Sequence, residues 1–242
     1  MLSNILHESG ISMGSDLLGA SPSNPHGHFE EKQVIEMNQR ILARQGGDWT
    51  NDHAVTSFID PEDVVAIQTY AEWRSATEPQ FGVKDPRLMC TIGTWRLALP
   101  SLKALYIHRG FERCCKSLWS RAHADFKAGA ATQMNQRLLS SKEDIIALYL
   151  NNVATFFNVW AHDTNFQRQT AFINYDDLIA GMIDLRSVLH RLGFDAPGVS
   201  PEQYVDRAAI RSVEGFKGRI DPAIVGRARA VDLEIAELCV RQ

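Results

Sequence analysis

Hydrophobic positions recur along the chain in two alternating styles. Short apolar runs of four or five residues occur at Ser3–His7, Gln80–Val83, Ala104–His108 and Thr170–Asn174, each followed by a stretch of helical spacing. Runs of that length, bounded by polar residues, predict buried strands. Glu30–Gln45 carries Val34, Ile35, Met37, Ile41 and Leu42 at mixed three- and four-residue steps. Lys142–Ala161 places Ile145, Tyr149, Val153, Phe156, Phe157 and Trp160 on one face. Both segments predict amphipathic helices. Asp60-Pro61 reads as a cap followed by proline at the first helical position, with Glu62 and Asp63 favouring the positive end of the helix. Asp221-Pro222 repeats that signal for a last helix ending near Val240. Asp176–Leu192 predicts a helix closed by Gly193, a residue suited to the left-handed turn after a helix. Strand followed by helix, repeated, predicts a parallel sheet with helices on both faces. No repeat, low-complexity tract or long Pro/Gly/Ser linker interrupts the pattern, so one α/β domain over residues 1–242 is expected.

Composition narrows the class of function. The chain has 242 residues, 45% hydrophobic and 22% charged, enough to bury a core without disulfides or a metal. Lys+Arg total 25 against Asp+Glu 29, a formal net charge of -4, which excludes a general nucleic-acid binder. No run approaches the roughly 18 apolar residues of a spanning helix. The start, Met1-Leu-Ser-Asn-Ile-Leu6, lacks the basic and long apolar regions of a signal peptide. Cys90, Cys114, Cys115 and Cys239 show no CxxC spacing, which predicts reduced structural thiols, no metal site and a cytoplasmic protein. His53, His123, His162 and His190 are scattered without metal-ligand spacing. Trp95, Trp119 and Trp160 are expected in the core, or lining a pocket for a substrate.

Three turns that follow predicted strands suit anions. Ser9, Gly10, Ile11, Ser12 and Met13 form a small-residue turn between the first predicted strand and a helix-like stretch. Outward N–H groups and the helix dipole can hold an anion at such a place. No GxxxxGK[ST] is present and the turn has no lysine, so it is not a Walker A loop. In Phe81-Gly-Val-Lys-Asp-Pro-Arg87, Lys84 and Arg87 stand beyond a strand end, where ligands gather in open parallel sheets. Arg109 ends the third strand, and Ser117 follows eight residues later, about two helical turns on. A phosphate there would take a charge-assisted fork from Arg109 and a hydroxyl bond from Ser117. Each turn also has a plain structural reading: an inert turn, a solvated turn in which Asp85 pairs a cation, and a surface ion pair.

In this order, and together with Asn24-Pro-His-Gly-His-Phe-Glu30, Ile173-Asn-Tyr-Asp-Asp-Leu178 and Leu189-His-Arg-Leu-Gly193, these stretches carry a family resemblance. The chain resembles the bacterial branch of the sulfotransferases that use 3′-phosphoadenosine 5′-phosphosulfate (PAPS), over most of its length to about residue 195. The resemblance implies a P-loop NTPase-like three-layer α/β fold, with a central parallel sheet flanked by helices. It implies PAPS as sulfuryl donor, no metal, and a small-molecule or glycan acceptor attacking sulfur through a hydroxyl or amine. Residues 8–13 would hold the 5′-phosphosulfate, Lys84 the leaving group, Arg87 would assist, and Arg109 with Ser117 would hold the 3′-phosphate. Glu30 is the first choice of base, with Glu31 and His28 as rivals. Arg211, Lys217 and Arg219 form a late basic stretch that could cover the 3′-phosphate. Acceptor specificity would reside in loops 19–29, 46–60 and 128–141.

One departure stands out. The family turn reads Arg-Ser-Gly-Thr-Ser, whereas this chain reads Glu8-Ser-Gly-Ile-Ser12. A carboxylate about 4 Å from a phosphosulfate is repelled by roughly 4 kcal/mol at an effective dielectric of 20. Three accounts compete. Glu8 points away and Lys84 helps the backbone hold the anion; Glu8 has become the base; or the donor site is degenerate. The last makes the protein a catalytically silent sulfotransferase-like binding protein. A P-loop kinase or other nucleotide phosphotransferase is the remaining alternative, disfavoured by the missing lysine loop and the lack of a strand ending in Asp.

Overall fold

Two of the four apolar runs form strands, and they pair with each other. The computed structural model describes residues 1–19, 27–48, 50, 58–129, 133–138, 140–195, 216 and 220–240. Along the chain lie α1 (Leu2–Glu8), α2 (Lys32–Arg44), α3 (Pro61–Thr77), α4 (Leu88–Ala98), β1 (Ala104–His108), α5 (Phe111–Lys127) and α6 (Gln133–Leu138). Then follow α7 (Lys142–His162), α8 (Thr164–Arg168), β2 (Thr170–Asn174), α9 (Tyr175–Ile179), α10 (Leu185–Arg191) and α11 (Pro222–Val240). The chain is mixed α/β and mostly helical, and among the described residues its sheet has two strands. β1 and β2 run parallel in the register Ala104–Thr170 to His108–Asn174.

Side chains alternate between the two faces of this sheet, as the strand pleat requires. Leu105, Ile107 and Ile173 pack with Ile5, Leu6, Leu178, Leu185 and Leu189 of α1, α9 and α10. Tyr106 and Phe172 pack on the other face with Val153, Phe156, Phe166 and Ile235 of α7, α8 and α11. A separate cluster, with Trp95 at 1% exposure, joins α2, α3 and α4. Helices thus cover both faces of the small sheet, in agreement with the strand–helix alternation.

The sequence expectation fails for the first apolar run. Ser3–His7 is not a strand but lies within helix α1. Leu2, Ile5 and Leu6 recur at i, i+3 and i+4 and are all buried, so the run satisfies the helical period as well as it satisfies a strand. Burial against Ile11, Met13 and Ile173 decides between the two. Gln80–Val83 forms no ladder; it makes one parallel bridge, Phe81 to Ser12. There the Ser12 N–H donates to the Gln80 carbonyl (3.1 Å) and the Gly82 N–H to the Ser12 carbonyl (2.9 Å).

The helix signals hold better. Asp60 caps α3 by accepting from the Glu62 N–H at 2.9 Å, and Ser141 caps α7. α2 begins two residues later than Glu30, with Glu31 as its cap residue in extended conformation. The expected single helix Asp176–Leu192 is split into α9 and α10. Gly181, at φ 72°, turns the chain after α9, and Asp184 caps the restart by accepting from the Ser187 N–H at 3.1 Å. Gly193, at φ 78°, closes α10 as expected. No helix among the described residues is long and apolar enough to cross a membrane.

Candidate functional site: a cationic cleft beside the first strand

A cleft of about 730 Å3 runs along β1. Among the described residues β1 has a strand neighbour only on the β2 side. Ala104–His108 and the following Arg109 form one wall of the cleft, Val83–Met89 another, and α5 contributes Cys114, Ser117, Leu118, Arg121 and Asp125. Five cations (Lys84, Arg87, Lys103, Arg109 and Arg121) border it against three acids (Glu30, Asp85 and Asp125). In a chain of net charge -4 this is a local positive excess, and a concave cationic surface concentrates anions. Apolar side chains such as Met89, Ile92, Val153 and Phe156 form much of the rest of the lining, with polar Tyr149 and Asn152 among them.

The cations differ in how far they are already engaged. Lys84 bonds the Glu30 carboxylate and donates to the His28 carbonyl at 3.3 Å. The His28 ring nitrogen Nδ1 stands 3.9 Å from the same carboxylate oxygen. The Glu30 side chain is 8% exposed and that of Lys84 39%, so the acid is held inside while the ammonium reaches water. Arg87 is committed to structure: its Nη1 and its N–H both donate to Asp85 Oδ1, at 2.8 and 3.0 Å. Asp85 in turn accepts from the buried Asn38 (2.9 Å), which also accepts from Thr91 and Trp95, both at 2.8 Å. The Asp-Pro-Arg turn is thereby tied to α2 and α4, and Lys84 is left at the cleft.

Arg109 presents the opposite case. Its guanidinium lies over the Tyr175 ring at 4.9 Å from the centroid, and its Nε is buried with no hydrogen-bond partner among the described residues. A buried arginine donor left over in a concave site suits an acceptor supplied by a ligand. Ser117 and Arg121 lie one turn apart on the α5 face that borders the cleft, and Arg121 Nε donates to the Ser117 carbonyl at 3.4 Å. The Arg121 pKa lies below the ordinary arginine value, first through loss of hydration. The Glu30 carboxylate pulls it up and Arg109 pushes it down. α5 is oriented by Asp232 of α11. Its Oδ2 accepts from the Phe111 N–H at 2.8 Å and its Oδ1 from the Tyr149 hydroxyl at 2.7 Å. Gly110 has no side chain to cap α5, and Asp232 supplies the missing acceptor from another helix.

The 9–13 turn is placed otherwise than its sequence suggests. Because α1 precedes it, Ser9 follows the C-terminal end of a helix, where the dipole is negative. The Ser9 N–H donates to Ile5 and Leu6, Gly10 to His7, Ile11 to Leu6 and Ser12 to Gln80. The Met13 N–H donates to the ring Nδ1 of His7 at 3.2 Å. All five N–H groups are engaged within the protein, Ile11 and Met13 are core residues, and none of the five borders the cleft. Glu8 is exposed at the end of α1 and also lies away from it. Glu31, the rival base, is 3% exposed and paired with Arg74 at 2.7 Å, and it does not line the cleft.

The structure therefore gathers His28, Glu30, Lys84, Arg87, Arg109 and Ser117 around one cleft and leaves Ser9 to Met13 out of it. Asn24, Pro25, His26, His53, Arg211, Lys217 and Arg219 lie outside the described residues, as do parts of loops 19–29, 46–60 and 128–141. Arg121 and Asp232 escaped the sequence reading. Arg121 was detectable as the i+4 neighbour of Ser117 on one helix face, whereas nothing local links Asp232 to α5. Trp95 is core, and Trp119 and Trp160 are half-buried; none borders the cleft. The four cysteines are thiols. Burial pushes Cys90 up to about 12 and Cys114 and Cys239 up to about 11, and it raises Cys115 as well. Comparison with family models, curated proteins and solved structures finds no match to the chain.

Proposed function

We propose that the chain is a PAPS-dependent sulfotransferase built on a P-loop-like three-layer scaffold. The observation that carries this reading is the convergence of Glu30, Lys84, Arg109 and Ser117, from three separate stretches of sequence, on one cationic cleft at the carboxyl end of β1. The buried Arg109 Nε, without a hydrogen-bond partner among the described residues, suits the 3′-phosphate of the donor, with Ser117 adding a hydroxyl. In the reaction, an acceptor hydroxyl or amine attacks sulfur in line, its proton passes to Glu30, and the bond from sulfur to the bridging oxygen breaks. Adenosine 3′,5′-bisphosphate leaves with the bonding pair. Lys84, now bonded to Glu30, exchanges that partner for the departing oxygen, where negative charge develops. The exchange leaves Glu30 free as a carboxylate base.

A second reading has a specific observation in its favour. The N–H groups of Ser9 to Met13 are spent on protein acceptors, so the 5′ end of a donor finds no backbone cradle there. A catalytically silent, anion-binding homologue would have the same cleft. Calorimetric titration with adenosine 3′,5′-bisphosphate, with ATP plus magnesium as control, separates the two. Binding near micromolar strength, about -8 kcal/mol, is expected. Loss of the charged hydrogen bond in Arg109→Ala should weaken it by about 1.5–3 kcal/mol, roughly ten- to a hundredfold. No heat with the bisphosphate refutes the donor site. Binding without sulfuryl transfer to any acceptor in a hydroxyl and amine panel favours the silent homologue.

A further inference from the structure

Glu30 and Glu31 are neighbours with opposite fates. The backbone at Glu31 is extended (φ -78°, ψ 130°), so successive side chains point to opposite sides. The Glu31 carboxylate turns into the core, where it accepts from Arg74 (2.7 Å), the Tyr70 hydroxyl and the Ser15 N–H (3.3 Å). Gly14 makes room for it: a Cβ at that position would lie 2.7 Å from the Glu31 carboxyl carbon. Glu30 turns the other way, toward Lys84. The residue before this pair, Phe29, has φ 52°, the only positive φ at a non-glycine among the described residues. An aromatic residue adopts the left-handed region only where its surroundings enforce it. Here the Phe29 ring packs against the α1 cluster, 5.8 Å from the His7 ring, while Glu31 is locked by Arg74 on the other side.

The torsion at Phe29 lies between the two groups that clasp Lys84, the His28 carbonyl and the Glu30 carboxylate. Rotating φ to an ordinary negative value swings the His28 carbonyl away while Glu31 keeps Glu30 in place. The two acceptors then no longer meet on one ammonium. We propose that the left-handed backbone at Phe29, held between its packed ring and the buried Glu31–Arg74–Tyr70 set, aims the His28 carbonyl and Glu30 carboxylate at Lys84. Phe29 and Glu31 are positioning residues for that pair. The inference rests on the reading of Glu30 and Lys84 as base and leaving-group cation, but its test reads the pair's geometry alone.

The test uses acylation of Lys84 by an amine-reactive acetylating reagent, followed by peptide mapping on the folded full chain, with thermal unfolding of each variant as a control. In the wild-type background Glu30→Gln should raise the Lys84 rate several-fold, because the ammonium loses its carboxylate. Phe29→Gly removes the ring but accepts the left-handed region freely, so the Glu30→Gln effect should persist. Phe29→Val removes the ring and resists that region, so the effect should fall below twofold. Phe29→Ala, a milder version, should lie between them and serves if Phe29→Val does not fold. Full retention of the effect in Phe29→Val and Phe29→Ala overturns the proposal. So does equal loss in Phe29→Gly, which would assign the role to the ring, or no Glu30→Gln effect in the wild-type background. Absence of bisphosphate binding would sink the donor reading and leave this measurement standing.

Discussion

Arg74→Met is the sharpest probe of how the structure is held beside the cleft. Arg74 and Glu31 are both buried, with side chains 2% and 3% exposed, and lie 2.7 Å apart. The guanidinium also donates to the Tyr70 hydroxyl (2.8 Å), to the Ser12 carbonyl (3.0 Å) and to the Ser12 Oγ (3.2 Å). It lies 4.9 Å from the centroid of the Phe81 ring. Methionine keeps much of the aliphatic volume and removes every one of these donors. Among the described residues Glu31 is then a buried carboxylate with Tyr70 and Ser15 as its remaining donors, and losing one partner of a buried pair costs about 3–5 kcal/mol. For a chain of this length that is a fall in Tm of roughly 6–20 °C, at about 2–4 °C per kcal/mol. Urea unfolding followed by circular dichroism measures it, with the slope against denaturant checked for constancy. Arg74→Met/Glu31→Leu removes both charges, so it should be more stable than Arg74→Met alone by at least about 1 kcal/mol. A cost below about 1 kcal/mol for the single variant, or strict additivity of the two changes, would refute the argument.

Two other variants probe the cleft walls. Asp232→Ala strips α5 of its borrowed cap and leaves the Tyr149 hydroxyl without its acceptor. It should destabilise by about 1–3 kcal/mol and weaken bisphosphate binding, because α5 carries Ser117; unchanged unfolding in urea would show that the cap carries no load. His108, 6% exposed, has its pKa lowered from 6.5, first by burial, with Asp232 and Asp176 working against the shift. The unfolded chain therefore binds this proton at a higher pH than the folded chain. This contribution to stability is complete above pH 6.5 and is lost as pH falls toward the lowered value. His108→Gln should flatten stability against pH in that window, and an unchanged slope would show that other groups set it.

The legibility of the chain varied with how local the deciding forces were. Capping signals at Asp60 and the left-handed close at Gly193 were readable because both involve backbone groups within a few residues. β1 and β2 were readable as strands, although their mutual pairing is not encoded in either run. Ser3–His7 suits two periods, because so short a run with Ile5 and Leu6 as its apolar positions fits a strand or a helix, and the choice is made by packing of Ile5 and Leu6 on the sheet face. That single change moved Ser9 to Met13 from a helix start to a helix end, where their N–H groups are spent on protein acceptors and Ile11 and Met13 are core. The departure at Glu8 agrees with this placement, since an exposed acid off the cleft repels no ligand there.

By itself the sequence determined that the chain is α/β and where its strong helices begin, and it singled out charged residues that the structure gathers at the cleft. These follow from periodicity, caps and residue chemistry, all of which act over a few positions. Only the tertiary structure decided which of two adjacent acids, Glu30 or Glu31, faces the cleft. It also decided that Asp85 consumes Arg87 while Lys84 meets Glu30, and that Asp232 positions α5 from the far end of the chain. The physical reason is that burial and long-range hydrogen bonds set orientation and availability. Residues 43 and 121 positions apart in sequence become partners only when the core forms.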